Sequence, residues 1–249
     1  MLTKRQVSDF YQRGFLSVET ITTLKDVQDI REILDGLFAR FNDLPENIAL
    51  DLGDERSHKG PPQIPEINRA IDLEPRLKET LAFRRCRDIA GQLLGRKARY
   101  CYDHSIYKPP YNQRETPWHQ DQAYDAGKSQ TVLTFWLALQ DVTVENGCMQ
   151  YIPYSHERGL RAHHKRGHRH TAHALTVDDV DATQAVACPL RTGGITIHLP
   201  QTLHYTGPNN TGALRRSWIL LFEESPRSAW STVHLHPVPL IAKLKTYFT

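Results

Sequence analysis

Beyond Gly95 the chain stops repeating every three or four residues and breaks into short runs of β-branched and aromatic residues. RYCYDHSIYK, TVLTFWLALQDV, CMQYIP, ATQAVACPL, GGITIHL and RRSWILLF are separated by Pro109-Pro110, Asn146-Gly147, Gly193-Gly194 and Pro208-Asn209-Asn210. Runs of this kind, punctuated by residues that favour tight turns, are strands of antiparallel sheets. No helical pattern alternates with them, which argues against parallel βαβ architectures. The part before Gly95 reads differently. Thr3 can cap a short helix through Tyr11, and GFLSVE has strand character. From Thr22 or Thr23 onward, Leu24, Val27, Ile30, Ile33, Leu34, Leu37, Phe38 and Phe41 build one apolar stripe at helical spacing. Residues Leu44 to Pro75 are rich in Pro, Gly and charge and predict loops with little regular structure. A second helix is predicted from about Leu77 to Leu94. Helices first and strands later predict an α+β fold, a jelly roll backed by helices. With no internal repeat or boundary, the expectation is one domain over residues 1–249, helical to about 95 and jelly roll over about 96–225.

Composition narrows the function. The 249 residues are 39% hydrophobic and 24% charged, enough to bury a substantial core. No apolar run is long enough to cross a bilayer, and the N-terminus lacks a signal-peptide apolar stretch. Cys86, Cys101, Cys148 and Cys188 are far apart with no C-x-x-C pair, so a disulfide framework and a structural zinc site are disfavoured. The expectation is a cytoplasmic protein with no membrane partner. The net charge of +3 is concentrated in His156–His173, where five Arg or Lys face one Glu. The rest of the chain is slightly acidic, which removes most support for nucleic-acid binding. The basic segment is either a solvated loop or a mobile lid that attracts an anionic substrate.

Residues 117–124 read PWHQDQAY. On an extended segment, His119 and Asp121 point to the same side, so a ring nitrogen and a carboxylate oxygen can converge on one metal ion. His204 lies 85 residues further on, just past the predicted strand GGITIHL. Two histidines and one carboxylate form the facial triad of non-haem Fe(II) oxygenases, which leaves adjacent positions open. A zinc hydrolase can use the same three groups, although the H-E-x-x-H helix is absent.

WHQDQAY, FWLALQDVTVENGCMQYIPYSH and LHYTGPNNTGALRRSW, in that order, strongly resemble the phytanoyl-CoA dioxygenase family of Fe(II)/2-oxoglutarate-dependent oxygenases. The resemblance runs from GFLSVE to about Phe222. It implies a double-stranded β-helix with helices outside, Fe(II) on His119, Asp121 and His204, 2-oxoglutarate as cosubstrate, and O₂. It also implies that Arg215, eleven residues after His204, holds the far carboxylate of 2-oxoglutarate, assisted by Thr206. Arg216 is the rival, but strand alternation puts Arg215 and Ser217 on one face and Arg216 and Trp218 on the other. By the same resemblance Trp136 faces the cosubstrate, with core packing as the alternative, and Lys108 is a further contact or a solvated strand-end charge. His198 could mimic a ligand, yet the family has an unremarkable residue there, so a buried or supporting role is expected.

Three turns depart from the family pattern. Its Pro-Gly-Ser-His is Pro153-Tyr154-Ser155-His156 here, which implies a phenol near the site. Its Gly-Asp is Gly193-Gly194, and its His-Gly-Ser is His204-Tyr205-Thr206. Related halogenases replace the carboxylate with a small residue, so Asp121 favours oxygenation. The implied activity is hydroxylation of an unactivated C–H bond in a small organic metabolite, with release of succinate and CO₂. The alternatives are a catalytically silent metal-binding jelly roll and a metal-dependent hydrolase.

Overall fold

The computed structural model describes residues 1–53, 61–95, 98–125, 132–165 and 175–224. Among the described residues four α-helices, α1 (Lys4–Arg13), α2 (Leu24–Phe38), α3 (Ala70–Leu73) and α4 (Leu81–Leu93), lie among thirteen strands. The strands are β1 (Phe15–Val18), β2 (Ala49–Asp51), β3 (Pro65–Asn68), β4 (Ala98–Lys108), β5 (Thr116–His119), β6 (Val132–Ala138) and β7 (Met149–Tyr151), followed by β8 (His164–Lys165), β9 (Leu175–Thr176), β10 (Val186–Cys188), β11 (Ile195–His198), β12 (His204–Thr206) and β13 (Arg215–Glu224). They form a seven-stranded sheet in the order β1-β11-β6-β13-β4-β3-β2 and a four-stranded sheet in the order β10-β7-β12-β5, with β8 and β9 as a separate pair. This is the antiparallel jelly roll with few helices that the strand runs predict.

The large sheet is buried on both faces. Leu133, Phe135 and Leu137 of β6 and Trp218, Leu220 and Phe222 of β13 pack with Val27, Ile30, Leu34 and Leu37 of α2 and with Cys86, Ile89, Ala90 and Leu93 of α4. The alternate residues Trp136, Ala138, Ile106 and Ile219 turn inward against Met149, Tyr151 and Cys188 of the small sheet. Two-sided burial explains why TVLTFWLA and RRSWILLF are almost continuously apolar rather than alternating.

The helix ends follow local chemistry. Thr3 and Gln6 close a capping box on α1, which runs to Arg13 and stops at the left-handed Gly14. Thr23 caps α2. Leu24, counted in the apolar stripe, is 73% exposed at its first turn. The second predicted helix starts later than Leu77. Pro75–Glu79 is a 3₁₀ turn, and α4 begins after the Thr80 cap. Asp26 of α2 accepts hydrogen bonds from Leu81 N at 2.8 Å and Ala82 N at 2.9 Å, tying the two helices together.

The expectation of loops over Leu44–Pro75 is corrected by β2, β3 and α3. The β3 strand is short, opens on Pro65 and carries Glu66 and Asn68 on its inward face, so it shows no apolar alternation. Pairing with β4, with Glu66 opposite Ile106 and Asn68 opposite His104, makes it a strand.

Candidate active site

The small sheet brings the predicted histidines together. β5 and β12 are antiparallel neighbours with His119 directly opposite His204, and their ring centroids are 4.1 Å apart. Asp121 arrives differently from the expected extended geometry. β5 ends at His119, and Asp121 opens a 3₁₀ turn over Asp121–Asp125 that swings its carboxylate back to the histidines. Asp121 Oδ1 lies 3.7 Å from His119 Nε2 and 3.3 Å from His204 Nε2. One ligand atom from each residue falls within 4.8 Å of the other two.

Both imidazoles are held in one tautomer by backbone carbonyls two residues upstream. His119 Nδ1 is 2.7 Å from Pro117 O, and His204 Nδ1 is 2.9 Å from Thr202 O. A carbonyl only accepts, so each Nδ1 carries the proton and each Nε2 presents a lone pair toward Asp121. Two neutral nitrogens and one anionic oxygen are a donor set that fits Fe(II).

His198, expected in a supporting role, takes one. Its Nε2 is 3.1 Å from Asp121 Oδ2, and Thr134 Oγ1 donates to the same oxygen at 2.8 Å. Thr134 and His198 are register partners on β6 and β11. Burial, with His204 adjacent, pushes His198 down to about 4, so it is a neutral imidazole near neutral pH. Thr134 was not singled out in the sequence, although its position two residues from Trp136 puts both on the inner face.

Gln120, between the two convergent residues, points the other way. Its side chain donates to Gly159 O at 3.0 Å and Gln201 O at 2.6 Å and accepts from Arg161 N at 2.9 Å. Its backbone N donates to His163 Nε2 at 3.0 Å. The start of the basic segment is therefore fastened to the H-x-D stretch. Arg161 donates to Asp178 O at 2.7 Å, and β8 and β9 form a short hairpin stem. Residues 166–173 of the expected lid lie outside the described residues.

A second cluster sits on the inner face of the large sheet. Arg215 and Lys108 are cross-strand partners on β13 and β4, and both are buried. Lys108 is therefore no solvated strand-end charge. Its Nζ donates to Thr206 Oγ1 at 2.9 Å, Thr206 O at 3.2 Å and Gly207 O at 2.5 Å. Arg215 donates to Ser217 Oγ at 3.0 Å, and its guanidinium carbon lies 5.4 Å from the centroid of the Trp136 ring. Trp136 thus backs the arginine from within the core instead of merely filling space. Arg216 faces outward to Asp35 of α2, at 2.9 Å and 3.2 Å, as strand alternation predicts.

The two buried cations are weakly compensated, with Glu115 acting on Lys108 through space. Among the described residues no carboxylate is hydrogen-bonded to either, and Arg215 Nε has no hydrogen-bond partner. Burial pulls Arg215 down to about 9, and burial together with Arg215 pulls Lys108 well below its ordinary value. Adjacent buried cations are stable as cations when an anion joins them, and a dicarboxylate reaching from the metal would supply one.

The departures at the turns have physical reasons. Tyr154 has φ 63°, the left-handed conformation that a glycine adopts freely, and its side chain is 45% exposed. The implied phenol is thus turned to solvent. At Gly194, where the family pattern has an aspartate, a Cβ would fall 2.5 Å from Glu19 O.

The phytanoyl-CoA dioxygenase family model matches residues 10–217. The chain belongs to the phytanoyl-CoA dioxygenase family. Its members are Fe(II)/2-oxoglutarate-dependent oxygenases, and this chain is a non-haem iron 2-oxoglutarate-dependent dioxygenase. It is 23% identical to a phytanoyl-CoA dioxygenase of Arabidopsis thaliana over 92% of each chain. Among solved structures it is similar to EvdO2 of Micromonospora carbonacea var. aurantiaca, at 34% identity over 93% of this chain and 94% of that one, with a TM-score of 0.79. A second structure of EvdO2 is complexed with 2-oxoglutarate, with a TM-score of 0.77. The carbocyclase SnoK from nogalamycin biosynthesis shares the fold, with a TM-score of 0.68 at 22% identity over 90% of this chain and 84% of that one. Among the described residues no helix is long and apolar enough to cross a membrane.

Proposed function

We propose that this dioxygenase hydroxylates an unactivated C–H bond of a small organic molecule, with His119, Asp121 and His204 as the iron ligands. Arg215 and Thr206 hold the far carboxylate of 2-oxoglutarate, and Lys108 fixes Thr206 beside the arginine. The observation that carries the reading is the pairing of an N,N,O donor set with two adjacent buried cations to which no carboxylate among the described residues is hydrogen-bonded. Iron and 2-oxoglutarate, when bound, would activate O₂, with oxidative decarboxylation of 2-oxoglutarate to succinate and CO₂ supplying two electrons and the substrate C–H bond the other two.

The protein's contribution is placement. The Nδ1 hydrogen bonds to Pro117 O and Thr202 O keep both imidazoles aimed at one point. Lys108 presents Thr206 Oγ1 with its proton free for an anion, because the oxygen already accepts from Nζ. Arg215 offers a planar fork suited to a carboxylate. The apolar walls Trp136, Ile106, Ile219 and Met149 keep water from the space between the sheets. Asp121 occupies the position that a halogenating site leaves to a halide, so an oxygen-inserting outcome is the one favoured.

Succinate release from 2-oxoglutarate under air with Fe(II) tests the assignment. His119→Ala and Asp121→Ala should each reduce it to background. Wild-type turnover in either variant would refute the ligand set.

A further inference from the structure

Asp121 divides its two oxygens between different partners. Oδ1 is the oxygen that faces His119 Nε2 and His204 Nε2, at 3.7 Å and 3.3 Å. Oδ2 turns away, to Thr134 Oγ1 at 2.8 Å and His198 Nε2 at 3.1 Å. A carboxylate only accepts, so His198 must carry its proton on Nε2. Its Nδ1 is then the acceptor and faces Tyr151 Oη at 3.1 Å, which also lies 2.8 Å from Thr196 Oγ1. Tyr151 is itself fixed by Phe15, stacked on it at 4.5 Å with a 13° interplanar angle. The chain from Phe15 to Tyr151 to His198 to Asp121 runs through buried side chains on β1, β7 and β11.

We propose that His198 is a positioning residue for the metal centre, holding Asp121 Oδ2 so that the carboxylate meets the metal through Oδ1 alone. The proposal rests on the ligand assignment made above. Its consequence is a count of positions. Two histidines and a one-oxygen carboxylate leave half of an octahedral shell open, enough for a chelating cosubstrate and O₂. A carboxylate free to rotate and bind through both oxygens takes one of those positions. Thr134 alone cannot enforce the orientation, because a single hydroxyl hydrogen bond lets the carboxylate pivot, whereas donors from two adjacent strands fix its plane.

Anaerobic Co(II) titration of the full chain, read as affinity and as the d–d absorption spectrum, tests this without turnover. His198→Leu removes the donor, whereas His198→Gln keeps an amide N–H near the Nε2 position. Loss of a group that orients a ligand typically weakens metal binding about 10–100-fold, and that is the expectation for His198→Leu, with an altered d–d spectrum. His198→Gln should recover most of the affinity and the wild-type spectrum. Wild-type affinity and spectrum in His198→Leu would overturn the proposal. So would equal losses in both variants, which would mean that ring packing and not the donated proton matters. Asp121→Ala is the control. If it binds Co(II) as the wild type does, the ligand assignment fails and the His198 proposal falls with it. Thr134→Val removes the other donor to the same oxygen and should shift the spectrum in the same direction. It carries the test if His198→Leu does not fold, and an unchanged Thr134→Val spectrum would then count against the proposal.

Discussion

Arg215 and Arg216 are the same side chain one position apart, and strand geometry gives them opposite surroundings. Arg215 points between the sheets beside Lys108, and Arg216 reaches out to Asp35 on α2. Removing a buried charge from a paired site is worth about 2–5 kcal/mol. At about 1.4 kcal/mol per tenfold, Arg215→Leu should raise the apparent KM for 2-oxoglutarate by roughly 30-fold to a few thousand-fold. Arg216→Ala breaks a partly exposed pair and should cost under about 1 kcal/mol of stability, with that KM nearly unchanged. Steady-state kinetics and a denaturant melt read the two effects separately. At this scale much was legible. The period of two separated the arginines, and the H-x-D spacing with His204 picked out three residues that the fold brings together as a candidate metal site. Lys108 was ambiguous because a strand-end lysine looks the same in sequence whether its ammonium meets water or Thr206. Thr134 carried no signal of its own, since its importance comes from lying opposite His198 on β11.

Elements decide how these residues meet. Register places His119 opposite His204, a 3₁₀ turn delivers Asp121, and Ser155 helps set the approach to β12 by accepting from Leu203 N at 2.9 Å while donating to Ile152 O at 2.7 Å. Just before Ser155, Tyr154 sits in the left-handed conformation at φ 63°. That conformation costs a residue with a Cβ roughly 1–2 kcal/mol, partly offset in glycine by its greater freedom when unfolded. Tyr154→Gly should therefore stabilise the fold by about 1 kcal/mol, a rise of about 2–4 °C in Tm for a chain of this size. Calorimetry checks it, and a lower Tm would mean that the half-exposed phenol packs more strongly than the strain opposes it. Tight turns and long strands were readable from their residues. β3 was not, because its identity comes from pairing with β4 and not from its own pattern. The 3₁₀ turn at Asp121 was hidden because QDQAY has no Gly or Pro, and the turn-favouring Asp121 was equally compatible with an extended H-x-D ligand pair.

Across the molecule, one face of the large sheet is a helix-backed core and the other is the wall of the site. The inner surface carries apolar residues along most of its length and polar ones at two centres beside the site, around Asp121 and around Arg215, besides the Glu66, Asn68 and His104 group on β3 and β4. The switch from helical to strand pattern at Gly95 foretold the layered arrangement, because each layer's burial is written locally. The separation into two polar centres could not be read that way, since it depends on which strands become neighbours. The account holds that these two centres grip opposite ends of one cosubstrate. Anaerobic titration of the purified chain with Fe(II) and 2-oxoglutarate, followed by visible absorption, tests this most directly. A weak metal-to-ligand charge-transfer band that needs both additions, saturates at one equivalent and disappears in Asp121→Ala is the predicted result. Fe(II) binding with no band on saturation with 2-oxoglutarate would contradict it.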